Sequence, residues 1–222
     1  MALQIDQRLV LFDLDRTLIP GSCLVPFGRE VVRRGVISRR ALARHAVAAR
    51  RFQRRGLSDE RVDAARGQLL SVLAGHDHQA LAPIAAEVGS QLAETMFASA
   101  RHVLDLHLAA GDFCVVLTAA PQELAEALVD AVGAHRAVGT RLEVVDGVFT
   151  GRLRGEFCHG PGKLTRLAED VGGVDWRRTS AYGDSASDLA VLERAAVPVA
   201  VNPDRRLRSV AEGSGWRVVR FS

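Results

Sequence analysis

The chain has 222 residues, 48% apolar and 25% charged, which is the balance of a soluble globular protein large enough for one big domain or a core with an inserted module. No run approaches the ~20 consecutive apolar residues of a membrane span, and Met1-Ala2-Leu3-Gln4-Ile5-Asp6 lacks the basic and apolar segments of a secretory signal. A formal charge of +3 does not by itself call for a nucleic-acid partner, and Cys23, Cys114 and Cys158 lack the spacing of a disulfide framework or zinc site, so a reducing cytoplasm is the expected compartment.

In chain order, Arg8-Leu9-Val10-Leu11-Phe12 is a short apolar run bounded by charged and turn-forming residues, which predicts a buried strand. Pro20-Gly21-Ser22 then breaks the chain. From about residue 24 to 97 the sequence reads as helices. Ser38 is placed to cap one through Arg39–Arg44, Ser58-Asp59-Glu60 sets acids at a second N-terminus, and an alanine- and leucine-rich third tract spans about 79–97. The first part of this region is dense in arginine, from Arg33 to Arg55. Solvated helix faces explain such a run; a nucleic-acid surface is the alternative, but Phe52 is the only stacking residue among them.

After Gly111 the pattern changes. Phe113–Leu117 predicts a strand running into Thr118-Ala119-Ala120-Pro121, with a helix over about 121–132. Residues 141–145 and 148–153 flank Asp146-Gly147 and predict a hairpin. A helix over about 161–171, a strand Thr179–Tyr182, a helix over about 186–195, a strand Val197–Val201, a helix over 204–212 and an apolar end at Trp216–Val219 follow. Strands alternating with helices imply α/β architecture, a Rossmann-like open parallel sheet covered on both faces. The expected division is a core of residues 1–20 and 98–222 with a helical cap of residues 21–97 inserted after the first strand. Such sheets bind ligands outside the carboxyl ends of their strands, so the chemistry should sit just past them.

Four clusters meet that demand. Asp13 and Asp15 follow the first strand, Thr118 the second, and Asp184 and Asp188 a later one; Lys163 opens a helix after Gly160-Pro161-Gly162. Two carboxylates two residues apart repel unless a cation is present or one is protonated, and both conditions serve phosphoryl transfer. Each cluster also has an ordinary reading. Asp13 and Asp15 are acceptable loop acids, Thr118 and Asp184 acceptable helix caps. Lys163 is less ordinary. It is the single lysine among 29 basic residues, and a cation at a helix N-terminus opposes the macrodipole, which points to a phosphate clamp.

Taken in order, Asp13-Leu14-Asp15-Arg16-Thr17, Thr118, Lys163 and Gly183-Asp184-Ser185-Ala186-Ser187-Asp188 resemble the four motifs of the haloacid dehalogenase superfamily, over essentially the whole chain. The helical insert between the first two motifs and the 141–154 hairpin resemble its subfamily IB, the phosphoserine phosphatase-like branch with a C1-type cap. The resemblance implies a Mg2+-dependent phosphatase of a small phosphorylated metabolite, with no nucleic-acid or membrane partner. In it, Asp13 would form an aspartyl-phosphate and Asp15 would be the general acid/base, offering its backbone carbonyl to the metal. Thr17 would stabilise the turn, Thr118 and the Ala119 amide would bind the phosphoryl group, and Lys163 would neutralise it. Asp184 would join Asp13 on Mg2+, and Asp188 would support the acidic cluster. Arg16, Ser22 and Arg66 are the candidates for selecting substrate. The chain departs from phosphoserine phosphatases in having no acid between Thr17 and Glu30, where that family holds the substrate amine, so phosphoserine is not favoured. A phosphotransferase using the same intermediate and a non-catalytic binding module are the alternatives.

Overall fold

The computed structural model describes residues 7–37, 67 and 70–222. At its centre lies a six-stranded parallel sheet: β1 (Leu9–Phe12), β2 (Phe113–Pro121), β3 (Arg136–Thr140), β6 (Thr179–Gly183), β7 (Val197–Val201) and β8 (Arg217–Val219), in the order β3-β2-β1-β6-β7-β8. The hairpin β4 (Leu142–Val145) and β5 (Val148–Leu153) forms its own antiparallel pair. Its turn uses Asp146 (φ 51°) and Gly147 (φ 79°), the two left-handed residues that a tight two-residue hairpin requires.

Period-two side chains separate the two faces of the sheet. Val10, Phe12, Cys114, Val116, Val199 and Val201 point to one side, and Leu9, Leu11, Phe113, Val115, Leu117 and Ala200 to the other. The first face is covered by α3 (Ala98–Ala109) and α4 (Gln122–Val132), with α2 (Ala82–Glu94) packed on the outside of α4. The second is covered by α5 (Gly162–Val171), the short α6 (Leu189–Leu192) and α7 (Arg205–Gly213). Because both faces are buried, the strands read as continuous apolar runs, as the sequence led one to expect.

The helical insert leaves the sheet after Ile19. Its first helix, α1 (Leu24–Arg33), buries Phe27 and Val31 in the same apolar cluster as Phe12 and Leu14. The helix expected over about 79–97 is found at Ala82–Glu94, with Pro83 in its first turn, and it lies directly on α4. The approach is close enough that a Cβ on Gly89 would sit 2.7 Å from Ala127, so only glycine fits at that crossing. Arg33 and Arg34 are bound to Glu30 and Glu87, an ordinary solvated helix face. The helices expected after Ser38 and Ser58, the remaining arginines of that region, and Arg66 lie outside the described residues. Among the described residues, no helix is long and apolar enough to cross a membrane. The three cysteines are free and buried.

Three elements differ from expectation. β3 was not anticipated: Arg136-Ala137-Val138-Gly139-Thr140 is short and mixed, and only its pairing with β2 extends it. Helix α3 was not anticipated either: the chain turns at Thr95–Phe97 and begins a second helix at Ala98. The helix expected over 186–195 is a 3-10 turn, Ala186–Asp188, followed by the single turn of α6.

Candidate active site

The strand order places the site. From β1 the chain proceeds to β2 and β3 on one side, then crosses back to β6, β7 and β8 on the other. The crevice at this reversal opens beyond the carboxyl ends of β1 and β6, the position at which open α/β sheets bind ligands. Asp13 is the first residue after β1 and Asp184 the first after β6, so the two carboxylates face one another across it. The Asp13 amide still donates to Tyr182 O at 2.9 Å, which extends the ladder one step and fixes where Asp13 leaves the sheet.

The turn beyond Asp13 is tight and anchored. Leu14, Leu18 and Ile19 are buried, and the Thr17, Leu18 and Ile19 amides all donate to Leu14 O. Thr17 stabilises this turn through its backbone. Its hydroxyl is buried with no hydrogen-bond partner among the described residues. Asp15 turns toward the start of the insert, where its Oδ1 accepts the Cys23 amide at 2.9 Å.

Lys163 is brought to the crevice by the first turn of α5. Its Nζ donates to Asp13 Oδ1 at 2.7 Å and to Asp188 Oδ1 at 2.6 Å, with its side chain only 3% exposed. The misplaced cation inferred from sequence therefore has two carboxylates to compensate the helix dipole. Asp188 is held from the other side as well, its Oδ2 accepting the Asp184 and Ser185 amides at 3.2 Å. Ser185 and Asp188 make a reciprocal capping box that fixes this loop. A Cβ on Gly183 would lie 2.6 Å from Asp188 Cβ, so a side chain there would push Asp188 off Lys163.

One oxygen each from Asp13, Asp184 and Asp188 lie within 4.8 Å of one another. With both Asp188 oxygens already bonded, Asp13 and Asp184 are the pair with donor capacity left for a hard divalent cation. The electrostatics agree with that assignment. Burial, reinforced by the charges of Asp188 and Asp184 and only partly offset by Lys163, pushes the Asp13 carboxyl well above the usual carboxylate range. Burial and the Asp188 charge push Asp184 up to about 7. Burial alone would lower the Lys163 ammonium, but Asp13 and Asp188 outweigh it and hold it above its ordinary value. Three acids thus share one buried cation, and an oxygen-liganded divalent ion would relieve what remains.

Thr118 and Ala119 lie where β2 departs from β3. Leu117 pairs with Val138 and Pro121 with Thr140, so Thr118, Ala119 and Ala120 bulge out of the ladder opposite Gly139. The bulge frees backbone groups to face the crevice. Thr118 Oγ1 accepts the Ala120 amide at 3.2 Å, and Thr140 Oγ1 holds Ala119 O at 2.9 Å while accepting the Cys158 amide at 3.3 Å.

An open cleft of about 990 Å³ joins these groups: Asp13, Asp15, Arg16, Thr118, Ala119, Lys163 and Asp184 all line it. Ser22 is not among the residues that line it, and Arg66 lies outside the described residues. Ser22 is exposed, and its Oγ accepts the Leu24 amide at 3.4 Å. Arg16 does reach the site, its Nε 2.7 Å from Asp184 Oδ2. The thiols nearby are poor nucleophiles, since burial pushes Cys158 up to about 12 and raises Cys23 well above its ordinary value.

Two residues that sequence did not single out support the site. Asp204 caps α7 through Oδ1 on the Leu207 amide at 2.7 Å, takes the Ala186 amide on Oδ2 at 3.2 Å, and donates its own N–H to Asp184 O at 2.8 Å. It thereby ties α7 to the acidic loop. An aspartate just before a helix is a cap signal that could have found it, but not what else it holds. Thr140, which braces the 118–120 bulge, gave no signal because β3 itself was not legible.

A profile of the haloacid dehalogenase-like hydrolase family matches residues 10–193. A phosphoserine phosphatase of Mycobacterium tuberculosis is 36% identical over 214 residues, covering 95% of this chain and 70% of that protein. A crystal structure of a protein of unknown function from Bordetella pertussis superposes with a TM-score of 0.81 at 31% identity, covering 96% of this chain and 98% of that one. A substrate-bound phosphoserine phosphatase superposes with a TM-score of 0.63 at 20% identity, covering 97% and 94% respectively, and shares the fold.

Proposed function

Since the chain belongs to the haloacid dehalogenase-like hydrolase family, we propose that it is a Mg2+-dependent phosphatase that hydrolyses a small phosphomonoester through an aspartyl-phosphate on Asp13. The observation that carries this reading is the Lys163 ammonium bonded to Asp13 and Asp188 at the switch point of the sheet, facing Asp184. A carboxylate nucleophile, a buried clamp and two acids with oxygens left to bind a cation are what phosphoryl transfer requires, and burial holds the nearby thiols of Cys23 and Cys158 protonated.

In this reading Asp13 and Asp184 hold the cation, with the Asp15 carbonyl completing the protein's contribution. Bound there, Mg2+ would screen the phosphate charge so that an anionic carboxylate can approach phosphorus. Asp13 attacks the phosphorus with the oxygen that Lys163 does not hold, and the ester oxygen leaves. Asp15 protonates that oxygen, then takes a proton from the water that cleaves the acyl phosphate. Thr118 and the amide of Ala119 bind the equatorial oxygens, the bulge at 118–120 having released them from the sheet. Lys163 neutralises the transferred group, and Asp188 positions Lys163. Residues 1–20 and 98–222 form the catalytic core, residues 21–97 the cap, and the free cysteines suit a reducing cytoplasm.

The name of the Mycobacterium tuberculosis relative points to phosphoserine, while the absence of an acid between Thr17 and Glu30 argues against an amine clamp at that position. A panel of phosphoserine, sugar phosphates, nucleotides and histidinol phosphate, scored by released phosphate, identifies the substrate. The mechanism is tested with p-nitrophenyl phosphate. Asp13→Asn should abolish turnover with the circular dichroism spectrum unchanged, and EDTA should silence the wild type until Mg2+ is restored. Turnover retained by Asp13→Asn would sink the mechanism.

A further inference from the structure

Arg16 stands in the turn after β1 with φ 63°, a left-handed conformation that non-glycine residues adopt only where the surroundings impose it. Here the imposition is visible. The Arg16 amide donates to Ile19 O at 2.8 Å and its carbonyl accepts Asn202 Nδ2 at 3.5 Å, with buried Leu14 and Leu18 on either side. The turn so constrained delivers the guanidinium to Asp184, Nε to Oδ2 at 2.7 Å. Asp184 is one of the two acids with donor capacity left, and the other described cation of the cluster, Lys163, is bonded to Asp13 and Asp188 instead.

We propose that Arg16 is an internal counter-ion of the metal site, competing with Mg2+ for Asp184 and thereby setting the protein's affinity for the metal. The proposal rests on the reading of Asp13 and Asp184 as cation ligands. A guanidinium and a divalent ion cannot share one carboxylate oxygen, and two cations held a few ångströms apart repel. The exposure of the two basic residues decides which gives way. The Lys163 side chain is 3% exposed and bonded to two acids, whereas that of Arg16 is 60% exposed, so its pair is screened and readily opened. Arg16 also lines the cleft, so on leaving Asp184 its charge stays beside the place where an anionic substrate docks. Selecting substrate, the role expected of it from sequence, would then be secondary to regulating the metal.

The test is Mg2+ binding by isothermal titration calorimetry, which needs no substrate and no turnover. Arg16→Gln should tighten Mg2+ binding by up to about fivefold, the upper end for one partly exposed ion pair. Arg16→Gly, which suits the left-handed φ, should do the same if Gln disturbs the turn. Arg205→Gln is the control: it removes a cation from the same cleft that does not touch Asp184 among the described residues, and should leave the affinity within about twofold. In a Mg2+-bound crystal structure, Arg16 should stand away from Asp184 Oδ2. Equal tightening by Arg205→Gln would reduce the effect to a general field and overturn the proposal. So would unchanged affinity in both Arg16 variants, or an Arg16–Asp184 contact that persists beside bound metal. If neither wild type nor variants bind Mg2+, the metal reading fails and takes this one with it.

Discussion

The cost of removing Lys163 is the most direct measure of how the site is built. Lys163→Met takes away the ammonium bonded to Asp13 at 2.7 Å and Asp188 at 2.6 Å, leaving two buried carboxylates opposed, with Asp184 beside them. Removing one partner of a buried ion pair costs about 3–5 kcal/mol. Asp188 keeps its two amide donors and Asp13 borders an open cleft, so the lower end, about 3 kcal/mol at pH 8, is expected. For a chain of this length that lowers Tm by roughly 6–12 °C. The loss must also depend on pH. Burial already raises Asp13, and deleting the ammonium removes the charge that opposed the shift. The folded variant then holds protons that ordinary carboxylates in the unfolded chain release, so its stability falls as pH rises. Urea unfolding in EDTA at pH 5 and pH 8 reads both effects, with the larger loss at pH 8. A loss below about 1 kcal/mol at pH 8, the range of a surface pair, would refute the reasoning, and so would equal losses at the two pH values.

Lys163→Arg keeps the charge but forces a larger planar group into an enclosed slot, and misplacing the clamp by about 1 Å should reduce p-nitrophenyl phosphate turnover about a hundredfold; full activity would mean that charge alone suffices. Without metal, Asp184 titrates near 7 when folded against 3.8 when unfolded, so its contribution is present below 3.8 and lost as pH rises through about 7. The Tm gain on adding Mg2+ should therefore be larger at pH 8 than at pH 5, and the reverse order would count against Asp184 as a ligand. Gly183→Ala, with its Cβ pressed against Asp188, should lower stability by about 1–3 kcal/mol and activity with it, measured by thermal melts and turnover. An Ala variant as stable and active as wild type would show that the loop yields freely.

Much of this protein was determined by local sequence. The apolar runs at 9–12, 113–117 and 197–201, flanked by helical segments, specify a buried parallel sheet because strands covered on both faces need apolar residues at every position. Asp13 stands directly after the first of those runs and Asp184 directly after Thr179–Gly183, and Lys163 is conspicuous because it is the one lysine at the wrong end of a helix dipole. Those are near-neighbour signals, and sequence carries them well. Tertiary structure decided what depends on approach across space. Strand β3 exists only as a partner for β2, and that pairing makes the bulge presenting Thr118 and Ala119. Asp204 matters because α7 docks on the acidic loop, and Asp188 is spent on Lys163 rather than left free because two segments 25 residues apart meet there. Arg16 is the sharpest case. Its position between Asp15 and Thr17 was plain in the sequence, but only the left-handed turn, closed against Ile19 and Asn202, directs its charge onto Asp184.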